Sequence, residues 1–227
     1  MKKLMILSTG GTIACTQTSA GLIPTLSAGD ILTYLPDARA VGQIDTKTIF
    51  NLDSSNIQPE EWRLIAREVY ACIDEYDGVV VLHGTDTMAY TASMLSYMLR
   101  GLKKPVVITG SQLPIGHPDT DAKHNLGNAM LAALSGLCGV FVVFDGKIMR
   151  GCRVAKVRTT SQNAFESINS PVVGTVENGV VRLLAAPDAP TEAPALDEAI
   201  DPAVFLLKLI PGTKTEVFQA IGQMGYR

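Results

Sequence analysis

"VVVLHGTDTMAYTASMLSYMLRG", residues 79–101, decides the fold. Four apolar residues stand without period-2 alternation, as in strands buried on both faces of a parallel sheet. Then come His83-Gly84-Thr85-Asp86-Thr87, too polar for a strand and too rich in turn formers for a helix. After them Tyr90, Met94, Leu95, Met98 and Leu99 recur at helical spacing, closed by Gly101. A buried strand, a polar loop and a covering helix make one β-loop-α step of a layered α/β sheet.

The same step repeats on either side. Residues 4–7 form an apolar run that breaks into Ser8-Thr9-Gly10-Gly11-Thr12. Residues 48–51 end in Asp53-Ser54-Ser55, and Pro59-Glu60-Glu61 then opens a helix carrying Trp62, Ile65, Ala66, Val69 and Ile73. Residues 106–108 run into Thr109-Gly110-Ser111-Gln112, and a third helix carries Leu126, Met130, Ala133, Leu134 and Leu137 before a strand at 140–144. The expected fold is therefore α/β and doubly wound, a largely parallel open sheet with flanking helices. From about residue 150 short strands and turns take over, with 172–176 and 180–184 forming a β-hairpin about Asn178-Gly179. Residues 186–200, rich in Pro, Ala and acidic side chains, are expected as a linker. A strand at 204–210 and a helix at 213–224 complete the chain. The expected organisation is an N-terminal domain over 1–185, a linker over 186–201, and over 202–227 the first βα unit of a second, smaller α/β domain that is cut short.

Composition narrows the chemistry. The chain has 227 residues, 47% of them hydrophobic, enough for one large core. With 22 acidic against 19 basic residues, a net charge of −3 and no basic run, broad electrostatic binding of nucleic acid is not expected. The apolar run after Met1-Lys2-Lys3 is too short for a signal sequence or a membrane span. Cys15, Cys72, Cys138 and Cys152 show no CxxC spacing, and His83, His117 and His124 lie at no ligand spacing with them. Reduced thiols, a cytoplasmic setting, no metal and no membrane partner are the expectations.

In an open parallel sheet, ligands bind beyond the carboxyl ends of the strands. Four strand ends here deliver hydroxyls, small residues and carboxylates, a crevice suited to a small polar ligand. Each element also has a plain reading. Gly10-Gly11 make a tight turn, and neither GxGxxG nor GK[ST] is present. Asp53-Ser54-Ser55 and Thr85-Asp86-Thr87 suit helix N-caps. His83 suits a satisfied strand-end histidine, and Lys156 a solvated charge on a β-edge.

Taken jointly, TGGTIA (9–14), LDSSNIQPEEW (52–62), YDGVVVLHGTDTMAYTASMLSYML (76–99), VVITGSQLP (106–114), RVAKVRTTSQNAFESIN (153–169) and VFLLKLIPG (204–212) resemble the bacterial-type L-asparaginase (asparaginase/glutaminase) family, in its cytoplasmic, type I-like branch. The resemblance implies hydrolysis of the side-chain amide of L-asparagine to L-aspartate and ammonia, without metal or organic cofactor. It also implies a homodimer or a dimer of dimers. It makes Thr12 the nucleophile, with Gly10 and Gly11 clearing space for substrate. Thr85, Asp86 and Lys156 become the second catalytic group, Lys156 accepting a proton through Thr85 and Asp86 binding the substrate's α-amino group. Lost solvation in a closed site, with Arg153 and Arg158 nearby, favours a neutral lysine, which Asp86 opposes. The sequence leaves open whether Thr85 attacks directly or activates water. Asp53, Ser54 and Ser55 match the loop that grips the α-carboxylate, and Ser111 the side-amide pocket.

Two departures from the family pattern stand out. Leu22 occupies the place of a tyrosine that would hydrogen-bond the nucleophile. The acidic residue that a neighbouring subunit's C-terminal domain contributes lies beyond the last residue, so little or no turnover is expected of the 227-residue chain. The alternatives are a broader glutaminase–asparaginase amidase, a component of a tRNA-dependent amidotransferase, and a non-catalytic amino-acid-binding fragment. The amidotransferase component would need an N-terminal RNA-handling module, and a sequence that opens on the catalytic strand makes that alternative the less expected one.

Overall fold

The computed structural model describes all residues except Ala20, Ala186, Asp188 and Arg227, and the side chain of Arg39. Five parallel strands build the frame: β1 (Lys3–Gly10), β2 (Gln43–Leu52), β3 (Gly78–Leu82), β4 (Pro105–Thr109) and β5 (Gly139–Phe144). Three antiparallel strands extend it: β6 (Lys147–Arg150), β7 (Gly174–Glu177) and β8 (Val180–Leu183). Across the sheet the order is β8-β7-β6-β5-β4-β3-β1-β2. The parallel part thus reads 2-1-3-4-5, a doubly wound order whose direction of winding reverses between β1 and β3. That reversal opens a crevice between the loops TGGT and HGTDT, where adjacent crossovers leave for opposite faces.

Sequence explains why these strands lie centrally. Every residue of β3 and β4 is buried, as expected of uninterrupted apolar runs covered on both faces. The helix α3 (Ala122–Ala133) lies over one face, where Leu126, Ala129 and Met130 meet Leu4, Ile6, Val80, Leu82, Val107 and Phe141. Side chains alternate along a strand, so Val79, Val81, Val106 and Ile108 point to the opposite face. There α1 (Pro59–Cys72) and α2 (Met88–Met98) pack together, with Ile65, Val69, Met88 and Leu95 buried. Pro59 sits at the first helical position, and Gln58 and Glu61 form a capping box.

Several expectations are revised. The segment expected at 48–51 is a ten-residue strand, Gln43–Leu52. It is the sheet edge and half exposed, so its outer positions carry Gln43, Asp45 and Lys47 and lack an apolar signature. Asp145-Gly146, at φ 49° and 72°, turn β5 directly into β6. Asn178-Gly179, at φ 49° and 76°, close the expected hairpin in the same way. Thr87 stands at the N-cap of α2 but makes no cap hydrogen bond. The chain divides into compact units Met1–Asp197 and Glu198–Arg227, so the first reaches past the expected boundary at 185. Ala195–Leu196 pair with Leu99–Arg100, and Asp197 N donates to the Met98 carbonyl at 2.7 Å. The end of the proline-rich stretch is therefore part of the first unit. In the second unit the strand expected at 204–210 is irregular, since among the described residues no strand pairs with it and an unpaired strand leaves its backbone unsatisfied. The helix is present, as Glu216–Gln223.

One buried relay fixes the end of β3. Trp62 Nε1–H donates to Thr91 Oγ1 at 3.0 Å, Thr91 Oγ1 lies 2.8 Å from His83 Nε2, and His83 Nδ1 lies 2.7 Å from the Gly84 carbonyl. The Gly84 oxygen only accepts, so Nδ1 carries the ring proton and Nε2 accepts from Thr91. Burial pulls the His83 pKa down from 6.5 to about 4, partly offset by its bond to Gly84. The unfolded chain takes up a proton near pH 6.5 that the folded protein refuses until about 4. The folded state therefore keeps this contribution above pH 6.5 and loses it between 6.5 and 4, on the order of 3 kcal/mol in all. Urea midpoints measured from pH 7.5 to 4 are expected to fall less steeply in His83→Gln than in wild type; parallel curves would refute the assignment.

Candidate active site

Thr12 starts a 3₁₀ turn, Thr12–Ala14, just past the end of β1. The chain is tied on both sides of it. Gly11 N donates to the Leu52 carbonyl at 2.9 Å, and Ile115 N to the Ile13 carbonyl at 3.3 Å. Ile13 and Ala14 are buried anchors, and Thr12 is half-buried. Its hydroxyl makes no hydrogen bond to any described residue.

Gly10 and Gly11 lie at φ 98° and 75°, where side chains are strained. Their lack of Cβ atoms also permits close contacts within the protein. A Cβ on Gly11 would stand 2.3 Å from both the N and Cα of Gly84, and one on Gly10 would stand 2.5 Å from the backbone of Leu52. A Cβ on Gly84 would in turn meet Ser54 Oγ at 2.5 Å. The loop after β1 thus approaches the other two backbone to backbone, and the Ser54 side chain closes on Gly84. That contact puts Thr12 and Thr85 one residue beyond a shared crossing.

Thr85, Asp86 and Lys156 form one group. Lys156 Nζ donates to Thr85 Oγ1 at 2.8 Å and to Asp86 Oδ1 at 2.7 Å. The lysine side chain is 14% exposed, whereas that of Asp86 is 64% exposed. Lys156 ends a short strand, Val154–Lys156, paired with Phe165–Ser167. Phe165 anchors this hairpin on Phe144, with ring centroids 4.8 Å apart. The solvated β-edge charge of the plain reading is thus a largely buried ion-pair member. Arg158 is engaged by Glu166 at 2.9 Å and by the Asn163 carbonyl, and Arg153 is exposed. Asp86 is therefore the nearest charge to the ammonium.

The loop after β2 reaches the same place. Thr87 Oγ1 donates to the Ser54 carbonyl at 2.7 Å, and Asp86 N to Ser54 Oγ at 3.3 Å. Asp53 accepts from both Ser55 N, at 2.8 Å, and Ser55 Oγ, at 2.7 Å. Ser54 thus joins the Asp86 loop, while Ser55 is turned back on Asp53. Ser111 is buried, and its hydroxyl donates to the Leu113 carbonyl within its own loop. Leu22 stands opposite Gln17 in the hairpin of Cys15–Thr18 with Gly21–Pro24, about half exposed and without a hydroxyl.

Other candidate groups are removed by their surroundings. His83 has both ring nitrogens engaged in the core and stays neutral above about pH 4. Cys15, close in sequence to Thr12, donates its thiol to the Gly11 carbonyl at 3.5 Å. Burial, aided by the Asp53 charge, pushes that thiol's pKa up, which keeps it from being a thiolate nucleophile. Among the described residues no cluster of three or more His, Cys, Asp or Glu is placed to hold a metal, and no helix is long and apolar enough to cross a membrane. A cavity of about 420 Å³ between Tyr34–Val41 and α3, and one of about 350 Å³ between the Leu22 hairpin and Pro114–Pro118, both lie apart from the Lys156 group.

Sequence reading missed two supports of this group. Gln112 Oε1 accepts from Thr85 Oγ1 at 3.2 Å. Asp121 accepts from the backbone N–H of Gln112 and Leu113, and from Asn125 Nδ2, which also donates to the Gly110 carbonyl. Gln112 stood in view at a strand end; its signal was an amide where only small residues were needed.

Residues 3–189 match the family of the asparaginase N-terminal domain. The chain is 46% identical over 222 residues to an L-asparaginase of Thermococcus kodakarensis, covering 97% of this chain and 68% of that protein. It is 35% identical over 240 residues to a glutamyl-tRNA(Gln) amidotransferase component of Pyrococcus abyssi, covering all of this chain and 55% of the relative. The solved thermostable L-asparaginase from Thermococcus kodakarensis superposes with a TM-score of 0.92 at 46% identity, over 97% of this chain and 68% of that one. A probable cytoplasmic L-asparaginase from Campylobacter jejuni gives 0.82 at 28% identity, over all of this chain and 72% of that one. A Lys–Thr–Asp group at the reversal of a doubly wound sheet, joined to identity of this extent, places the chain in the asparaginase family of amidohydrolases.

Proposed function

We propose that the protein hydrolyses the side-chain amide of L-asparagine to L-aspartate and ammonia, with Thr12 as nucleophile. The observation that carries this reading is Lys156 Nζ held between Thr85 Oγ1 and Asp86 Oδ1, beside the loop that presents Thr12. With His83 and Cys15 removed, Thr12 is the free hydroxyl on the crossing loops and Lys156 the titratable base beside them.

In this reading Asp86, the exposed carboxylate of the group, binds the substrate's α-ammonium. Ser54 and Ser55 take its α-carboxylate, with Asp53 holding Ser55 from behind. The Ser111 loop supplies backbone groups to the side-chain amide. Thr12 Oγ1 attacks the amide carbon, and its proton passes by way of Thr85 to neutral Lys156. Collapse of the tetrahedral adduct breaks the C–N bond, and the proton leaves with ammonia. An aspartyl ester remains on Thr12, and water cleaves it to aspartate and free hydroxyl. Asparagine and water are thereby converted to aspartate and ammonia, with no cofactor. We further read the protein as a cytoplasmic homodimer or dimer of dimers. The four free cysteines and the likeness to the Campylobacter protein support the location.

The similarity to an amidotransferase component supports a second reading as a broader amidase that also accepts L-glutamine. Leu22, which has no hydroxyl to serve Thr12, supports a third in which the chain binds the amino acid without turning it over. Ammonia release from L-asparagine, L-glutamine and D-asparagine separates them. Whatever turnover the protein shows is expected to be fastest with L-asparagine and to fall in Thr12→Ala, by up to about a thousandfold; equal rates for Thr12→Ala and wild type would remove Thr12 as nucleophile. In calorimetry the protein is expected to bind L-aspartate, and Asp86→Ala to weaken that binding about a hundredfold by leaving the ligand ammonium unpaired. Undiminished binding by that variant would show that another group takes the ammonium.

A further inference from the structure

The hydrogen atoms around Thr85 can be assigned from their partners. Lys156 Nζ has only donors when charged, so Thr85 Oγ1 accepts from it and must give its own hydrogen elsewhere. It gives it to Gln112 Oε1, at 3.2 Å. Which end of the Gln112 amide faces Thr85 is also determined. Gln112 Nε2 donates to the carbonyls of Thr159 and Ser161, at 2.9 and 3.0 Å, and two carbonyls demand the NH₂ end. Gln112 therefore clamps the loop that follows Lys156 while offering one fixed acceptor to Thr85. Its backbone N–H is held by buried Asp121.

We infer that Gln112 is a positioning residue that sets the protonation state of the Thr85–Lys156 pair. The inference rests on the reading of that pair as the route for the proton. When Lys156 is charged, the chain Lys156 N–H to Thr85 O–H to Gln112 C=O is complete, and each link polarises the next. When Lys156 is neutral, its lone pair is the alternative acceptor for the Thr85 hydrogen. Gln112 and neutral Lys156 thus compete for one hydrogen, and Gln112 favours the charged form. Proton acceptance by Lys156 requires Thr85 to turn its hydrogen away from Gln112.

The charged and titratable groups on the surrounding elements are accounted for. Asp86 pairs with Lys156 directly. Asp53 is engaged by Ser55, and Asp121 by three N–H groups. Arg158 is paired with Glu166 on the lysine's own hairpin, Arg153 is exposed, and His83 is neutral behind Gly84. Among the described residues, Gln112 alone acts on the lysine through the Thr85 hydrogen.

Titration of the Lys156 side chain tests this without relying on turnover. Protein labelled with ¹³C at lysine Cε is followed by NMR against pH, the Lys156 signal being the one lost in Lys156→Met. Gln112→Leu, which removes the acceptor, is expected to lower the Lys156 midpoint by about one pH unit. Gln112→Glu, which keeps an oxygen facing Thr85 and adds a negative charge, is expected to raise it. On a Thr85→Val background, Gln112→Leu is expected to shift nothing, because the link is already cut. An unchanged midpoint in both Gln112 variants, shifts of the same sign, or an equal Gln112→Leu shift with and without the Thr85 hydroxyl would each overturn the inference. Should the opposite shifts appear while L-asparagine goes unhydrolysed, the role of Gln112 stands and the asparaginase reading falls.

Discussion

Gly11 and Gly84 pass each other with no side chain between them, and the remaining geometry of the site depends on that crossing. The loops belong to β1 and β3, neighbours in the sheet whose following connections leave for opposite faces. Divergence of those connections leaves a gap between the loops. The loops nevertheless pass so close that a Cβ on Gly11 would stand 2.3 Å from the Gly84 backbone. Ser54 then meets Gly84 from the third side. A methyl group on Gly11 would collide with the Gly84 backbone, and one on Gly84 with the Ser54 side chain.

Rigidity at the crossing comes from the layers beneath it. The His83–Thr91–Trp62 relay joins the end of β3 to α2 and α1, so the loop carrying Thr85 is held by both helices of one face. Asp121 and Asn125, at the start of α3 on the other face, hold Gln112 and Gly110 at the end of β4. Lys156 arrives last, on a hairpin anchored by Phe165 against Phe144. Buried polar groups left unpaired cost about 1–3 kcal/mol each, and among the described residues no buried side-chain nitrogen or oxygen lacks a partner. The network is therefore satisfied among the described residues.

Much of this was legible in the sequence where burial writes a periodic signal. Fully covered strands such as 79–82 and 106–108 read as apolar runs, and the Asn178-Gly179 turn announces its hairpin. The edge strand Gln43–Leu52 was read only at its last residues, because a half-exposed edge tolerates polar side chains and the pattern dissolves. The strand foreseen at 204–210 failed for the converse reason: an apolar run fixes hydrophobicity but does not supply a partner strand. At the site, the family resemblance grouped Thr85, Asp86 and Lys156, and these three do meet. Hydrogen-bond direction was not legible. That Ser55 faces Asp53, that Gln112 takes the Thr85 hydrogen, and that Gly11 spares Gly84 are facts of loop contacts between distant segments, invisible to local pattern.

The pairing of Lys156 with Asp86 poses a problem for any scheme that needs a neutral lysine, because a counter-ion at 2.7 Å favours the ammonium. The asymmetry of exposure points to its resolution. Asp86 faces solvent and Lys156 does not, so an incoming cation reaches the carboxylate without displacing the lysine. On the proposed reading that cation is the substrate's α-ammonium. Once it shares Asp86, the Lys156 ammonium keeps its desolvation but loses part of its counter-ion, and a largely buried charge with diminished compensation is costly. On the proposed reading, the ligand that needs the base is also the one that draws Asp86 away from Lys156.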